Sequence, residues 1–426
     1  MKVDKNTIAF FTSVVLFRVI LEFSYVYLIH PIYGDSYLHF GLSFDTVSYT
    51  LSWVIFIFSL RFLKSNMNKV SDFALLTIIV SVLTPVSVIS AYDSQRSFIP
   101  FILLFIPIIL IWALCDKKLV KPIKVPQFKN SELILKVVSW AMVLYLVCLY
   151  IVTGAVFNAN LDFTKVYEFR DVNSQLTDVG VLSYLNIWVY KVFSTFLFCY
   201  FLLKRKFGIC FFLFGVYTFF YSINNHKAVF FLPFLLFSIW YYFNKTNSAL
   251  VIPLGLSFLV FSVLVVNIFV DIQYLASMVI RRLFFVPSGM TFDYYEFTNI
   301  YGYVYWRDSV LSFLGGYQHD LPLSFAVGKH LLSGELGANN GFVSTGYAHA
   351  GIFGVVFYSM MFAYVLRLID HVTERGLPLW LAFALTAIPI RAMVISSDFF
   401  TVMLTHGFLL STLIILLFPK NEQIDD

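Results

Sequence analysis

The chain has 426 residues, of which 60% are hydrophobic and only 12% are charged, whereas soluble domains are typically about 45–50% apolar and about 25% charged. The 29 lysines and arginines barely exceed the 24 aspartates and glutamates, so nucleic-acid binding is not predicted. The four cysteines form no CxxC pair, and neither a disulfide framework nor a zinc site is expected. This composition predicts an all-α polytopic membrane protein.

Twelve apolar runs, each of roughly the length of a membrane-spanning helix, follow one another along the chain. They lie near residues 7–30, 46–63, 72–91, 98–115, 132–154, 183–203, 207–223, 228–243, 249–270, 341–369, 377–395 and 399–418. The first run lacks a small-residue cleavage site and carries Arg18 and Glu22, so we expect a retained span rather than a signal peptide. These two side chains lie one helical turn apart and are predicted to form a structural ion pair.

The loops divide the predicted topology into three parts. Residues 1–270 hold the first nine spans with an outer loop near 155–182, residues 271–340 form a large outer loop, and residues 341–426 hold the last three spans and a cytoplasmic tail. Most basic residues fall in loops that are inside when the N-terminus is inside, so both termini are predicted to be cytoplasmic. The 207–243 region either spans fully or is re-entrant around Asn224–Lys227.

The large outer loop is too aromatic to be disordered. We expect it to be partly helical, with short helices on the membrane surface, and to present either a sugar-stacking platform or an interfacial aromatic belt. The acids at 293, 296, 308, 320 and 335 lack the paired spacing expected for binding a divalent metal with a diphosphate. No metal and no cofactor are therefore predicted.

Four cations in predicted outer segments are candidates for binding an anion. Arg170, in the first outer loop, either contacts lipid headgroups or forks onto a phosphate or sugar carboxylate, which arginine does better than lysine. Arg281 and Arg282 follow the ninth span and point about 100° apart on a helix, so they cannot share one pair of ligand oxygens; structural pairing is the alternative. Lys227 lies at the start of the eighth span, where backbone N–H groups favour an anion, or is simply a polar loop residue.

His349 lies at the outer end of the tenth predicted span. The small residues around it, at 341, 346, 351 and 354, allow close approach of a backbone or a ligand. Its imidazole is either a satisfied structural hydrogen-bonding group or a group that orients or deprotonates a hydroxyl. Arg391 and Asp398 lie seven residues apart near the outer end of the eleventh span. We expect these two to form a structural pair.

Three segments resemble bacterial O-antigen and capsule repeat-unit polymerases of the Wzy type, which are related to the O-antigen ligases. Val166-Tyr167-Glu168-Phe169-Arg170 is similar to their Tyr-x-x-Arg segment, and Asn224-Asn225-His226-Lys227-Ala228 to their polar-basic break before an apolar helix. Asn339-Asn340-Gly341 through Gly351-Ile352-Phe353-Gly354 resembles the segment that enters the helix after the large loop. Ligases typically begin that segment with His-Asn, so Asn339-Asn340 favours a polymerase.

The resemblance implies a GT-C-like glycosyltransferase in the bacterial cytoplasmic (inner) membrane, with its active site on the periplasmic side. It would polymerise undecaprenyl-diphosphate-linked oligosaccharide repeat units into O-antigen, as in lipopolysaccharide, or a related surface polysaccharide. Fixed cations would stabilise the leaving diphosphate in place of a metal. Catalytic roles are predicted for His349, Arg281 and Arg282, and substrate contacts for Arg170, Lys227, Tyr167 and Asn340.

The partners implied are the lipid-linked oligosaccharide and the lipid bilayer, and a chain-length regulator protein is a further candidate partner. Two other functions stay open besides the polymerase. One is an O-antigen ligase, and the other is a lipid-linked oligosaccharide flippase with a similar number of helices. Intramembrane cations such as Lys191 would matter more to a flippase than to a polymerase.

Overall fold

The computed structural model describes residues 4–36, 38–123, 130–163, 166–177, 180–270, 272–332 and 336–418, without the side chains of Tyr167, Glu168, Asp171 and Val181. Helices dominate these ranges. In chain order they are α1 (Lys5–Tyr33), α2 (Thr46–Phe62), α3 (Val70–Tyr92), α4 (Ile99–Asp116), α5 (Ser131–Val152), α6 (Val166–Thr177), α7 (Leu182–Leu203), α8 (Phe207–Asn224), α9 (Lys227–Phe243), α10 (Val251–Val270), α11 (273–301), α12 (Leu323–Leu331), α13 (Phe342–Thr373), α14 (Leu379–Ile395), α15 (Phe399–Leu404) and α16 (Phe408–Leu417).

Eight of the described helices are long and apolar enough to cross a membrane: α1, α3, α4, α5, α7, α8, α10 and α13. Four shorter apolar helices, α2, α9, α14 and α16, coincide with the other predicted spans. The prediction of a multi-pass helical membrane protein is confirmed at this level. The full count of twelve spans and the GT-C-like arrangement stay predictions.

The helices belong to two compact units that cut across the three consecutive parts predicted from the sequence. The first unit comprises residues 1–121, 248–367 and 390–399. The second comprises residues 122–247, 368–389 and 400–426. Each unit is therefore assembled from segments far apart in the chain.

One end of the first unit gathers segments that the charge pattern predicts to be cytoplasmic. Lys64 Nζ lies 2.6 Å from Asp116 Oδ1. The Ser65 carbonyl accepts the Ala249 N–H at 2.8 Å, and the Ser65 hydroxyl lies 3.0 Å from Thr7 Oγ1. Loops assigned to one side of the membrane thus meet at one end of the unit.

The opposite loops meet around Arg96, whose guanidinium contacts three separate segments. It lies 3.3 Å from Asp93 Oδ2 and 3.3 Å from Asp293 Oδ1, and it donates to the carbonyls of Leu38 and His39. Burial raises the pKa of Asp293 to about 7, although the nearby Arg96 opposes that shift. With all these partners, Arg96 is a structural clamp that holds the loops after α1 and α3 against α11.

The helix α11 departs from the expectation of short helices on the membrane surface. It is continuous over 273–301 and is buried from Pro287 to Tyr294. Its aromatic residues pack into the unit: the Phe284 ring lies 5.3 Å from the Phe17 ring, and the Phe285 ring 5.5 Å from the Tyr25 ring. Burying so much aromatic surface favours the interior over an interfacial position.

The predicted pair of Arg18 and Glu22 is confirmed. Arg18 is fully buried, and its Nε lies 3.2 Å from Glu22 Oε1. Its other nitrogens donate to the Ser52 carbonyl at 2.9 Å and to the Ser52 hydroxyl at 2.8 Å, while Trp53 covers the guanidinium at 4.0 Å. All the charge and all the polar groups here are satisfied within the protein, which explains how an arginine is tolerated inside a span.

Replacing Arg18 by leucine is expected to lower the free energy of unfolding by about 3–5 kcal/mol, because Glu22 would be left buried without its partner. The double variant R18L/E22L should recover most of that loss, since two apolar side chains need no ion partner. The melting temperature of the detergent-solubilised protein measures both. A double variant as unstable as R18L would contradict the pairing.

The glycines of the tenth predicted span permit close packing, as expected. A Cβ on Gly341 would collide with the Val394 carbonyl of α14. By contrast, a Cβ on Gly255 of α10 would meet nothing within 4 Å. Gly341 is therefore required by contact with a backbone, and Gly255 is not.

Gly341→Ala is expected to lower the free energy of unfolding by about 1–3 kcal/mol, because the backbone of α14 must move to admit the methyl group. Gly255→Ala, the matched control, should leave stability unchanged or raise it by up to about 1 kcal/mol through helix propensity. Equal melting temperatures for the two variants would contradict the packing.

Candidate functional site

The helix α13 breaks immediately after His349. Ala350 has φ −153° and ψ 33°, and Gly351 has φ 59° and ψ −142°. A Cβ on Gly351 would lie 2.8 Å from the Tyr303 hydroxyl, so both the backbone angle and the neighbouring side chain require glycine there. The break leaves the carbonyls just before it without their usual helical partners.

Residues 302–306 fill the break. Val304 N–H donates to the Ala348 carbonyl and Tyr305 N–H to the His349 carbonyl, both at 2.9 Å. Tyr305 and Trp306 have positive φ angles of 54° and 59°, a conformation that bulky residues rarely adopt. Strained backbone of this kind concentrates at functional sites, where the surroundings enforce it.

The same segment encloses the imidazole of His349. The Trp306 ring stacks on it with a centroid distance of 5.2 Å and an interplanar angle of 18°. Trp306 N–H donates to His349 Nδ1 at 3.3 Å. Because Nδ1 accepts this hydrogen bond, the proton of the neutral ring lies on Nε2.

Two carboxylates flank this imidazole. Asp398 Oδ1 lies 3.6 Å from Nε2, and Asp308 Oδ1 lies 4.0 Å from Nδ1. Tyr358 donates to Asp398 Oδ1 at 2.9 Å, and Trp306 Nε1–H donates to the Tyr358 hydroxyl at 2.6 Å. We call the five residues His349, Asp308, Asp398, Tyr358 and Trp306 the histidine cluster.

Exposure within the histidine cluster decides which group can meet a substrate. His349 is 2% exposed, whereas the side chain of Asp398 is 23% exposed. A hydroxyl group arriving from outside therefore meets the Asp398 carboxylate before the imidazole. His349 Nε2 lies 3.6 Å from this carboxylate, and the predicted catalytic role of His349 stays a prediction.

Asn340 is placed as a structural residue. It is 3% exposed, and its amide nitrogen lies 2.9 Å from Ser344 Oγ and 3.4 Å from Thr291 Oγ1. Its amide oxygen accepts the Gly341 N–H at 2.9 Å. Because these bonds join the start of α13 to α11, Asn340 holds the two helices together, and its predicted contact with a substrate stays a prediction.

The predicted arginine pair on α11 diverges as its spacing requires. Arg281 is half-buried, with its guanidinium 4.5 Å above the Tyr33 ring at the end of α1. Arg282 is exposed, and its Nη1 lies 3.8 Å from Met278 Sδ. Arg282 is consequently the member of the pair that is open to a ligand.

Arg391 does not form the expected pair with Asp398, which bonds to Tyr358 instead. Over the described residues, Arg391 makes no hydrogen bond and no ion pair, and its side chain is exposed. An arginine without a protein partner in an apolar helix is a functional candidate by default. The sequence did not single out Arg391 as a functional candidate, because Asp398, seven residues later, was expected to neutralise its charge.

The predicted cations of the second unit lie on neighbouring elements. Arg170 lies in α6, and Asn173, three residues later, donates to the Ile223 carbonyl at 2.8 Å. This bond fixes α6 beside the turn that leads to Lys227, which is exposed at the first position of α9. The side chain of Tyr167, also in α6, lies outside the described residues.

Comparison with family models, with curated proteins and with solved structures finds no match. The fold of the first unit brings together a histidine, two carboxylates and a tyrosine. The sequence alone does not predict this grouping, because Trp306, Asp308 and Asp398 lie 40 or more positions from His349 and follow no motif.

Tyr358→Phe tests whether the histidine cluster is one connected network. The change removes the acceptor of Trp306 Nε1–H and the donor to Asp398, and is expected to lower the free energy of unfolding by about 1–3 kcal/mol. In a double-mutant cycle with Asp398→Asn, we expect a coupling energy of at least about 0.5 kcal/mol. Tyr27→Phe, at an exposed tyrosine, is the control, and strictly additive losses would contradict the network.

Proposed function

We propose that the chain polymerises undecaprenyl-diphosphate-linked oligosaccharide repeat units into O-antigen or a related surface polysaccharide by metal-independent glycosyl transfer. The observation that carries this proposal is the histidine cluster, in which a partly exposed carboxylate is held against a buried imidazole. Such a group can accept the proton of a sugar hydroxyl. The resemblance to Wzy-type polymerases names the substrates.

The reaction joins one acceptor oxygen to one donor carbon. The acceptor hydroxyl attacks C1 of the donor sugar, the new C1–O bond forms, and the bond from C1 to the diphosphate oxygen breaks. The hydroxyl proton passes to Asp398 and then to solvent, and the electron pair of the broken bond leaves on the lipid diphosphate. Asp398 acts as general base, and His349 is a positioning residue whose Nε2–H faces the carboxylate.

The leaving diphosphate needs positive charge, which exposed arginines supply. Arg282 and Arg391 are both exposed in the first unit. Fixed cations at a partly dehydrated site stabilise developing negative charge better than water does. Arg170 and Lys227 lie in the second unit, and their contact with a substrate stays a prediction from the resemblance.

An apolar groove between α1 and α10 suits the isoprenoid chain of such a substrate. Its volume is about 790 Å³, and Leu16, Tyr27, Phe261 and Ile268 are among the side chains that line it. The helix α1 continues from Tyr27 to Tyr33, against which Arg281 packs. A lipid tail in the groove would thus have its headgroup close to the arginine pair.

A flippase is the second candidate, favoured by one observation in the second unit. Lys191 Nζ lies 3.4 Å from His406 Nδ1. The apolar helix α7 therefore carries an amine group next to an imidazole. Charged groups at membrane depth are typical of transport pathways. Cells without a flippase keep lipid-linked units on the cytoplasmic side, whereas cells without a polymerase display single repeat units on their surface.

Purified protein supplied with lipid-diphosphate-linked repeat units is expected to form a polymer ladder. Asp398→Asn should lower the rate by about 10²-fold or more, because the proton acceptor is lost. Arg282→Ala and Arg391→Ala should each lower it by about 10²-fold through lost charge stabilisation. Arg375→Ala, at an exposed arginine in the second unit, is the matched control.

Full ladders from Asp398→Asn at the rate of the unaltered protein would contradict the assignment of the base. Two results together would favour the flippase instead. The purified protein would form no ladder, and cells carrying Lys191→Met would retain lipid-linked units on the cytoplasmic side.

A further inference from the structure

A polar cavity lies in the segment between α10 and α13. Its volume is about 320 Å³, at the lower end of the range for small-molecule sites. We call it the aromatic cup; its lining includes Phe297, Tyr301, His319, Asp320, Lys329 and His330. None of these residues belongs to the histidine cluster.

Packed rings form the wall of the aromatic cup. The Phe297 ring lies 4.8 Å from the Tyr301 ring and 5.2 Å from the His319 ring. The Tyr301 ring meets the His330 ring edge-to-face at 5.5 Å, and its hydroxyl lies 3.4 Å from His330 Nδ1. Because Tyr301 is 45% exposed, part of this aromatic surface is open to a ligand.

The rim of the aromatic cup carries both hydrogen-bond donors and acceptors. Lys329 and Asp320 are exposed, and their opposite charges cancel. Burial lowers the pKa of His319, against the opposing effect of Asp320. A wall of aromatic rings, with one lysine and one aspartate of opposite charge at its rim, suits a ligand with apolar C–H faces and many hydroxyl groups better than it suits a diphosphate.

A hydrogen bond connects the aromatic cup to the histidine cluster. Asp308, which flanks His349, accepts the Leu323 N–H at the first residue of α12 with its Oδ2, at 3.3 Å. The same helix carries Lys329 and His330. The rise from Leu323 to Lys329 is about 9 Å, so the cup lies within a short oligosaccharide's reach of the cluster.

We propose that the aromatic cup is a saccharide-binding site that holds a neutral sugar unit of a glycan stacked on Tyr301. Its role as the subsite that holds the acceptor rests on the proposed polymerase function, whereas saccharide binding itself does not. The sugar lies against the ring face, and its hydroxyl groups bond to the imidazoles, Asp320 and Lys329.

The test uses the full-length protein in detergent and saturation-transfer-difference NMR. The probe is the oligosaccharide released by mild acid from lipid-linked repeat units, and inorganic pyrophosphate is the competing probe. Tyr301→Ala is expected to weaken oligosaccharide binding by about tenfold or more, and Tyr301→Phe, which keeps the ring, by less than about threefold. Tyr274→Ala, at an exposed tyrosine of the same segment, should change nothing.

In the polymerisation assay, Tyr301→Ala should raise KM for the acceptor by about tenfold and leave kcat unchanged, because the cup binds and does not react. Unchanged oligosaccharide binding in Tyr301→Ala, or displacement of the oligosaccharide by pyrophosphate, would overturn the proposal. Oligosaccharide binding that depends on Tyr301 in a protein that forms no polymer would support the cup and count against the polymerase function.

Discussion

The break in α13 at Gly351 is the constraint on which the histidine cluster depends. It leaves the carbonyls of Ala348 and His349 without helical partners. The N–H groups of Val304 and Tyr305 donate hydrogen bonds to these carbonyls. Those two hydrogen bonds fix residues 302–306 on the broken helix and place Trp306 over the imidazole. Glycine at 351 is thus the local origin of a site whose other members come from α13 and from residues 306–308 and 398.

The arginines of the first unit that are discussed above fall into two groups: some have hydrogen-bond acceptors around the guanidinium, and others are exposed. Arg18 and Arg96 are surrounded by acceptors and serve structure. Arg282 and Arg391 are exposed on apolar helices. Since a charged group in a membrane protein costs free energy unless it is paired, the contrast between satisfied and open arginines separates structural from functional candidates.

The sequence alone predicted the helical membrane class and the ion pair of Arg18 with Glu22, because hydropathy and one-turn spacing are local properties. It did not predict Arg96, whose partners on other segments follow no local pattern. It predicted a pair of Arg391 with Asp398, which the described residues do not form. It named His349, the acid at 308 and Asp398 separately, and did not predict that the two carboxylates flank the imidazole. Trp306, Asp308 and Asp398 lie 40 or more positions from His349, so their meeting depends on tertiary packing, which one sequence does not specify.

The proposed chemistry assigns to fixed cations the charge stabilisation that a divalent metal supplies in other diphosphate sites. The most direct measurement is the rate of polymer growth from purified protein and lipid-diphosphate-linked repeat units, with a chelator and with added Mg²⁺ or Mn²⁺. If fixed cations stabilise the leaving diphosphate, the rate is the same in all three conditions. Growth that stops with the chelator and returns with the metal would contradict it.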